Sequence, residues 1–63
     1  MKELDVVKII RDFEDIPAGM LGTIVHEYDG KTFEVEYFNT RGDTIDVVTI
    51  SADLLVLVEE FKD

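Results

Sequence analysis

The pair Asp29-Gly30 constrains this chain more than any other two residues. It separates two β-rich runs, Gly22-Thr-Ile-Val-His-Glu-Tyr and Lys31-Thr-Phe-Glu-Val-Glu-Tyr-Phe. Asp-Gly between such runs is the strongest short-range signal of a β-hairpin, because both central residues of a type I′ turn need positive φ. A two-residue loop there sets the register. Tyr28 faces Lys31, His26 faces Phe33, Val25 faces Glu34, Ile24 faces Val35 and Thr23 faces Glu36. Directly opposed residues share a face. Ile24, His26, Phe33, Val35 and Tyr37 therefore form an apolar side, and Thr23, Val25, Glu27, Thr32, Glu34 and Glu36 a polar one. A slip of one residue would mix the two sets.

Asn39 to Asp43 reads as a second turn, leading into Thr44-Ile-Asp-Val-Val-Thr-Ile. Phe38 then lies opposite Thr44, Tyr37 opposite Ile45, Glu36 opposite Asp46 and Val35 opposite Val47. This register sends Ile45 and Val47 inward. It leaves Val25, Phe38 and Val48 outside among acids, with Glu36 and Asp46 as a like-charge pair that costs at least a few tenths of a kcal/mol.

Leu4 to Ile10 reads as a first strand, its paired valines and isoleucines suiting a segment covered on parts of both faces. Arg11 to Met20 is expected to be an irregular, mobile acidic loop, since Pro17 removes a ladder donor and Gly19 permits a turn. Ser51-Ala52-Asp53 reads as a short helical turn, Leu54 to Val58 as a fifth strand returning to the first, and Glu59 to Asp63 as a frayed charged tail. Five short strands spaced about ten residues apart, with no amphipathic helix, predict an all-β small barrel in one domain over residues 1–63.

With 63 residues and no cysteine, stability must come from a packed core, a partner or both. A domain of this size buries only about 60% of its unfolded surface, and no disulfide or thiolate zinc site can staple it. The formal net charge of −9 excludes phosphate tracking as the leading expectation. Lys2, Lys8, Arg11, Lys31, Arg41 and Lys62 are scattered, so nucleic acid is an unfavoured partner. The start of the chain has no signal-peptide pattern and no segment approaches the roughly 20 apolar residues of a membrane span. The expectation is a soluble, cytoplasmic protein.

The stretches Leu4-Asp5-Val6-Val7 with Arg11-Asp12, Ala18-Gly19, Leu21-Gly22-Thr23-Ile24-Val25-His26, Phe33-Glu34-Val35-Glu36-Tyr37 and Ala52-Asp53-x-Leu55 bear a family likeness. Through them, residues 3 to 58 resemble a family of bacterial and archaeal proteins of about sixty residues, a domain of unknown function. The strand pattern is similar to the SH3-like barrels, in which a short helical turn precedes the last of five strands. The resemblance implies that fold. It also implies a setting beside small toxin-like proteins, and by association an antitoxin or immunity role. Val56-Leu57-Val58 departs from the family pattern in being more hydrophobic.

Catalysis finds little support in the residues. His26 is the only histidine and is expected on the inner face against Phe33, whereas general-base work needs a reachable imidazole in an open pocket. Ser51, Thr23 and Thr49 have no histidine or lysine at a diagnostic spacing. Glu34, Glu36 and Asp46 should crowd together, but three strand residues are unlike the loop that usually holds calcium. No cofactor or metal is expected. Gly19-x-x-Gly22 precedes a strand, not a helix, and does not make a phosphate cradle. Arg41-Gly42-Asp43 reads as a hairpin tip.

What remains is the outer face of strands two to four. Val25, Phe38 and Val48 interleave there with Glu27, Glu34, Glu36 and Asp46, giving apolar anchors inside an acidic rim, the usual anatomy of an interface. The expected function is a non-catalytic acidic module that binds a basic protein, such as a toxin encoded nearby. Two alternatives stay open: an accessory subunit of a larger complex, for example an electron-transfer assembly, and an RNA-binding barrel. Free strand edges also leave room for a homodimer.

Overall fold

Alternation of apolar and polar residues organises a single antiparallel sheet. The computed structural model describes residues 1–39, 41 and 43–62, and at Thr44 and Ile45 the backbone alone. The strands are β1 (Val6–Ile9), β2 (Leu21–Glu27), β3 (Thr32–Phe38), β4 (Thr44–Ser51) and β5 (Leu55–Glu59), with a 3-10 turn at Ala52–Leu54 before the last. Their order across the sheet is β4-β3-β2-β1-β5. The expected all-β chain of five strands, with its short helical turn before the fifth, is what forms. Among the described residues no helix covers the apolar side, so the sheet curls upon itself to bury it in one core. The resulting barrel-like form is open between β4 and β5, the two ends of the strand order.

Val7, Ile9, Ile16, Ile24, Phe33, Val35, Tyr37, Val48, Ile50 and Leu55 make the core. β3 alternates without interruption, Phe33, Val35 and Tyr37 buried and Thr32, Glu34, Glu36 and Phe38 half-buried on the other face. Gly22 is required by this packing, because a Cβ there would lie 2.7 Å from Val35 Cγ1 and 2.9 Å from both the Glu36 carbonyl oxygen and Tyr37 Cδ1.

The first hairpin keeps the expected register only in part. Thr23 opposes Glu36 and Ile24 opposes Val35, but the pairing then shifts, with His26 opposite Glu34 and Glu27 opposite Phe33. Val25 is the extra residue of this bulge. The loop is correspondingly longer: Tyr28 N–H donates to Thr32 O at 3.0 Å across Asp29, Gly30 and Lys31. Asp29 Oδ1 accepts from the Lys31 and Thr32 amides, both at 2.9 Å, and Gly30 takes φ +82°. An aspartate that caps its own turn competes with the tighter type I′ geometry. The bulge moves His26 from the expected inner position against Phe33 to the exposed face.

The second hairpin also slips by one. Phe38 opposes Thr44 as expected, but Tyr37 opposes Asp46, Glu36 opposes Val47 and Val35 opposes Val48. The expected Glu36/Asp46 and Val35/Val47 pairs do not form. Val48 is consequently in the core at 8% exposure, and Val47 is exposed. Asn39 Oδ1 holds the turn by accepting from the Arg41 and Asp43 amides. The inward placement expected of Ile45, and the Thr40, Gly42 and Asp63 positions of the expected turn, tip and tail, lie outside the described residues.

The segment between β1 and β2, expected to be irregular, is organised around buried Ile16. Phe13 and Ile16 exchange backbone hydrogen bonds of 2.8 Å in both directions. Asp12 Oδ1 accepts from Ala18 N–H at 2.8 Å. Among the described residues no helix is long and apolar enough to cross a membrane.

Candidate functional site

Glu34 and Glu36 project from the outer row of β3, two residues apart and half-buried. Across from Glu34 lie His26 on β2 and Thr49 on β4, and across from Glu36 lie Thr23 and Val47. Tyr28 reaches back from the hairpin loop, its hydroxyl donating to Glu34 Oε2 at 2.9 Å. That bond, more than burial, raises the Tyr28 pKa above its ordinary value, because the neutral phenol is the donor. The His26 and Tyr28 rings meet edge to face with centroids 4.6 Å apart, and His26 Nδ1 stands 3.7 Å from Glu3 Oε2.

The structure separates the residues expected to share this face. Val25, Glu34 and Glu36 remain accessible to solvent on the outer side, whereas Glu27, exposed too, has been shifted by the bulge to lie opposite buried Phe33 and so leaves the outer row. Phe38 is half-buried beside Gly19, Met20, Leu21 and Asn39, which line a shallow groove with it. Val48 leaves the face for the core. Asp46 is exposed but opposes Tyr37, and its Oδ1 accepts from the adjacent Val47 amide at 2.8 Å. The three-carboxylate cluster expected of Glu34, Glu36 and Asp46 is therefore absent. Among the described residues no group of three or more histidine, cysteine, aspartate or glutamate side chains converges as metal ligands.

Two apolar members of the face escaped the sequence reading. Leu21 is exposed, and extending the first hairpin register by one pair beyond Gly22 and Tyr37 would have set it beside Phe38. Val47 replaces Val48, a change that follows from the slip after Phe38 and that no residue pattern announces. Ser51, considered as a nucleophile, caps the 3-10 turn by accepting from Asp53 N–H at 3.3 Å.

A second polar centre was also missed. Asp5 is 1% exposed, the one buried charged side chain among the described residues. Its Oδ1 accepts from Phe61 N–H at 2.8 Å and from Lys2 Nζ at 2.9 Å, and its Oδ2 accepts from Lys2 N–H at 2.9 Å. Lys2 Nζ also donates to Phe61 O at 3.0 Å. The Phe61 amide first and the Lys2 ammonium second hold the Asp5 carboxyl at about 2, against an ordinary 3.8, despite burial. The tail expected to fray is thus tied to the N-terminus at Phe61. An aspartate at the entry to an apolar strand is the only signal the sequence offers.

No curated protein and no solved structure matches the chain. Residues 3–57 match a family described as a domain of unknown function, DUF4926. That span takes in all five strands up to the middle of β5, and the chain belongs to this family.

Proposed function

We propose that this protein is a non-catalytic, acidic binding module of the SH3-like barrel kind, whose outer β2–β3–β4 face docks on a basic surface of a partner protein. The strand order and the 3-10 turn before β5 support the barrel assignment. The observation that carries the binding reading is the Glu34 and Glu36 row, flanked by exposed Val25 and Val47 and by half-buried Phe38, on a chain of net charge −9. Such a field raises the encounter rate with a basic surface by about ten- to a thousandfold. The apolar flanks then give a small desolvated contact on which affinity depends. A toxin encoded beside the gene is the partner that the family resemblance implies, and the module would neutralise it by covering it in a cytoplasmic setting.

Stopped-flow association with the purified product of the adjacent gene tests this. The Glu34→Lys, Glu36→Lys double variant should associate at least about tenfold more slowly, and the native rate should fall as salt is added. An association rate indifferent to both changes, or no complex at all, would remove the proposal.

A further inference from the structure

β5 is a sheet edge, paired with β1 on one side only. Ile10 N–H donates to Leu54 O at 2.9 Å, and Lys8 opposes Val56 in the same register. Because exchanged bonds alternate along an antiparallel pair, Lys8 and Val56 bond each other, and the N–H and C=O of Leu57 point away from β1. The Leu55 amide is already engaged by Ala52 O. Leu57 is therefore where the edge offers a free donor and acceptor. It is 47% exposed and Val58 50%, with Val56 accessible beside them. Leu4 and Phe61, also exposed, continue the apolar strip along an open groove with Val58. Exposed edges with apolar side chains are pairing templates that folded proteins usually blunt. On the other edge Asp46 Oδ1 occupies one such amide, that of Val47. Among the described residues no side chain does the same for β5, whose one irregularity is Val58, the extra residue between the partners of Val6 and Val7, just past Leu57.

Charge decides what covers the strip. Lys8 opposes Val56, Lys62 lines the groove, and Lys2 is bonded to Phe61. Asp5, Glu59 and Glu60 stand against these three cations, with exposed Glu3 beside Leu4 left over, so the strip is close to balanced on a chain that is strongly acidic elsewhere. A nearly balanced apolar edge has little with which to attract a basic partner and little local charge to set against the overall repulsion between two acidic copies.

We propose that β5 pairs antiparallel with β5 of a second copy of this chain, about a two-fold axis at Leu57. Leu57 of each copy exchanges both backbone bonds with its mate, Val56 of one meets Val58 of the other, and the contact is isologous and closed. The outer β2–β3–β4 face stays free, so dimer formation and the proposed docking are compatible and independent.

Sedimentation velocity across protein concentration, at low and high salt, tests the dimer. Screening the net repulsion between two acidic copies should tighten it several-fold at high salt, opposite in sign to the salt effect expected for a basic partner. Leu57→Lys and, separately, Val58→Lys should give a monomer with unchanged circular dichroism. In native protein the Leu57 amide should exchange at least tenfold more slowly in the dimer than in dilute monomer. A chain that stays monomeric at millimolar concentration in high salt overturns the inference. So does a dimer that survives both lysine variants, or one whose Leu57 amide gains no protection.

Discussion

Tyr37 is fully buried, and among the described residues its hydroxyl has no hydrogen-bond partner. Leaving such a group unsatisfied costs about 1–3 kcal/mol, and the ring alone fills the space between Gly22 and the core. Tyr37→Phe should therefore raise stability by about 1 kcal/mol in urea unfolding at neutral pH. Burial pushes the Tyr37 pKa up to about 12 from 10. As pH rises past 10 the unfolded chain ionises first, so stability falls until about 12, and the phenylalanine variant should lose much of that alkaline slope. Gly22 presents the opposite case. With Val35, Tyr37 and a backbone oxygen all within 3 Å of the methyl that alanine would add, Gly22→Ala forces β2 away from β3. It should destabilise by about 2 kcal/mol or more in the same experiment.

At the scale of strands, both hairpins were legible as hairpins because turn chemistry and alternation agree over most of their length. Gly22 to Ile24 and Tyr37 to Val35 pair as their side chains demand. What could not be read is where one extra residue is accommodated. Bulges at Val25 of β2 and, in β4, between Thr44 and Asp46, the partners of Phe38 and Tyr37, each preserve an apolar inner row while moving individual residues across the sheet: His26 goes out, Val48 goes in and Val47 goes out. Val47-Val48 is chemically degenerate, so either valine satisfies the pattern and only turn geometry selects. The acidic pair Glu34 and Glu36 was legible because β3 has no bulge. A pair of lysine substitutions separates the registers. Val48→Lys, burying a charge among Val35, Ile50 and their neighbours, should destabilise by more than about 3 kcal/mol, whereas Val47→Lys opposite Glu36 should stay within about 0.5 kcal/mol. Thermal melts of the two variants side by side would show which valine the core contains, and equal effects would contradict the observed pairing.

For the molecule as a whole, the two ends of the chain matter as much as the sheet between them. Lys2, Asp5 and Phe61 close a ring of hydrogen bonds that carries the chain from before β1 to beyond β5. It holds the C-terminal segment beside Leu4 and Val58, and so also shapes the strip on which β5 would meet a second copy. Asp5 ionises at about 2 in the fold against 3.8 ordinarily, so its carboxylate favours the folded state fully above about pH 4 and that contribution fades as pH falls towards 2. Asp5→Asn keeps an acceptor for the Phe61 amide but gives up the charge that Lys2 pairs with. The variant should be less stable than native protein near neutral pH, and the gap should narrow through the acid range and close near pH 2, as read from urea midpoints at each pH. Exchange of the Phe61 amide should quicken in the variant at neutral pH while the β3 amides stay protected. A gap that persisted unchanged to pH 2 would mean that Asp5 stabilises the fold through its shape and hydrogen bonds, with its charge adding nothing.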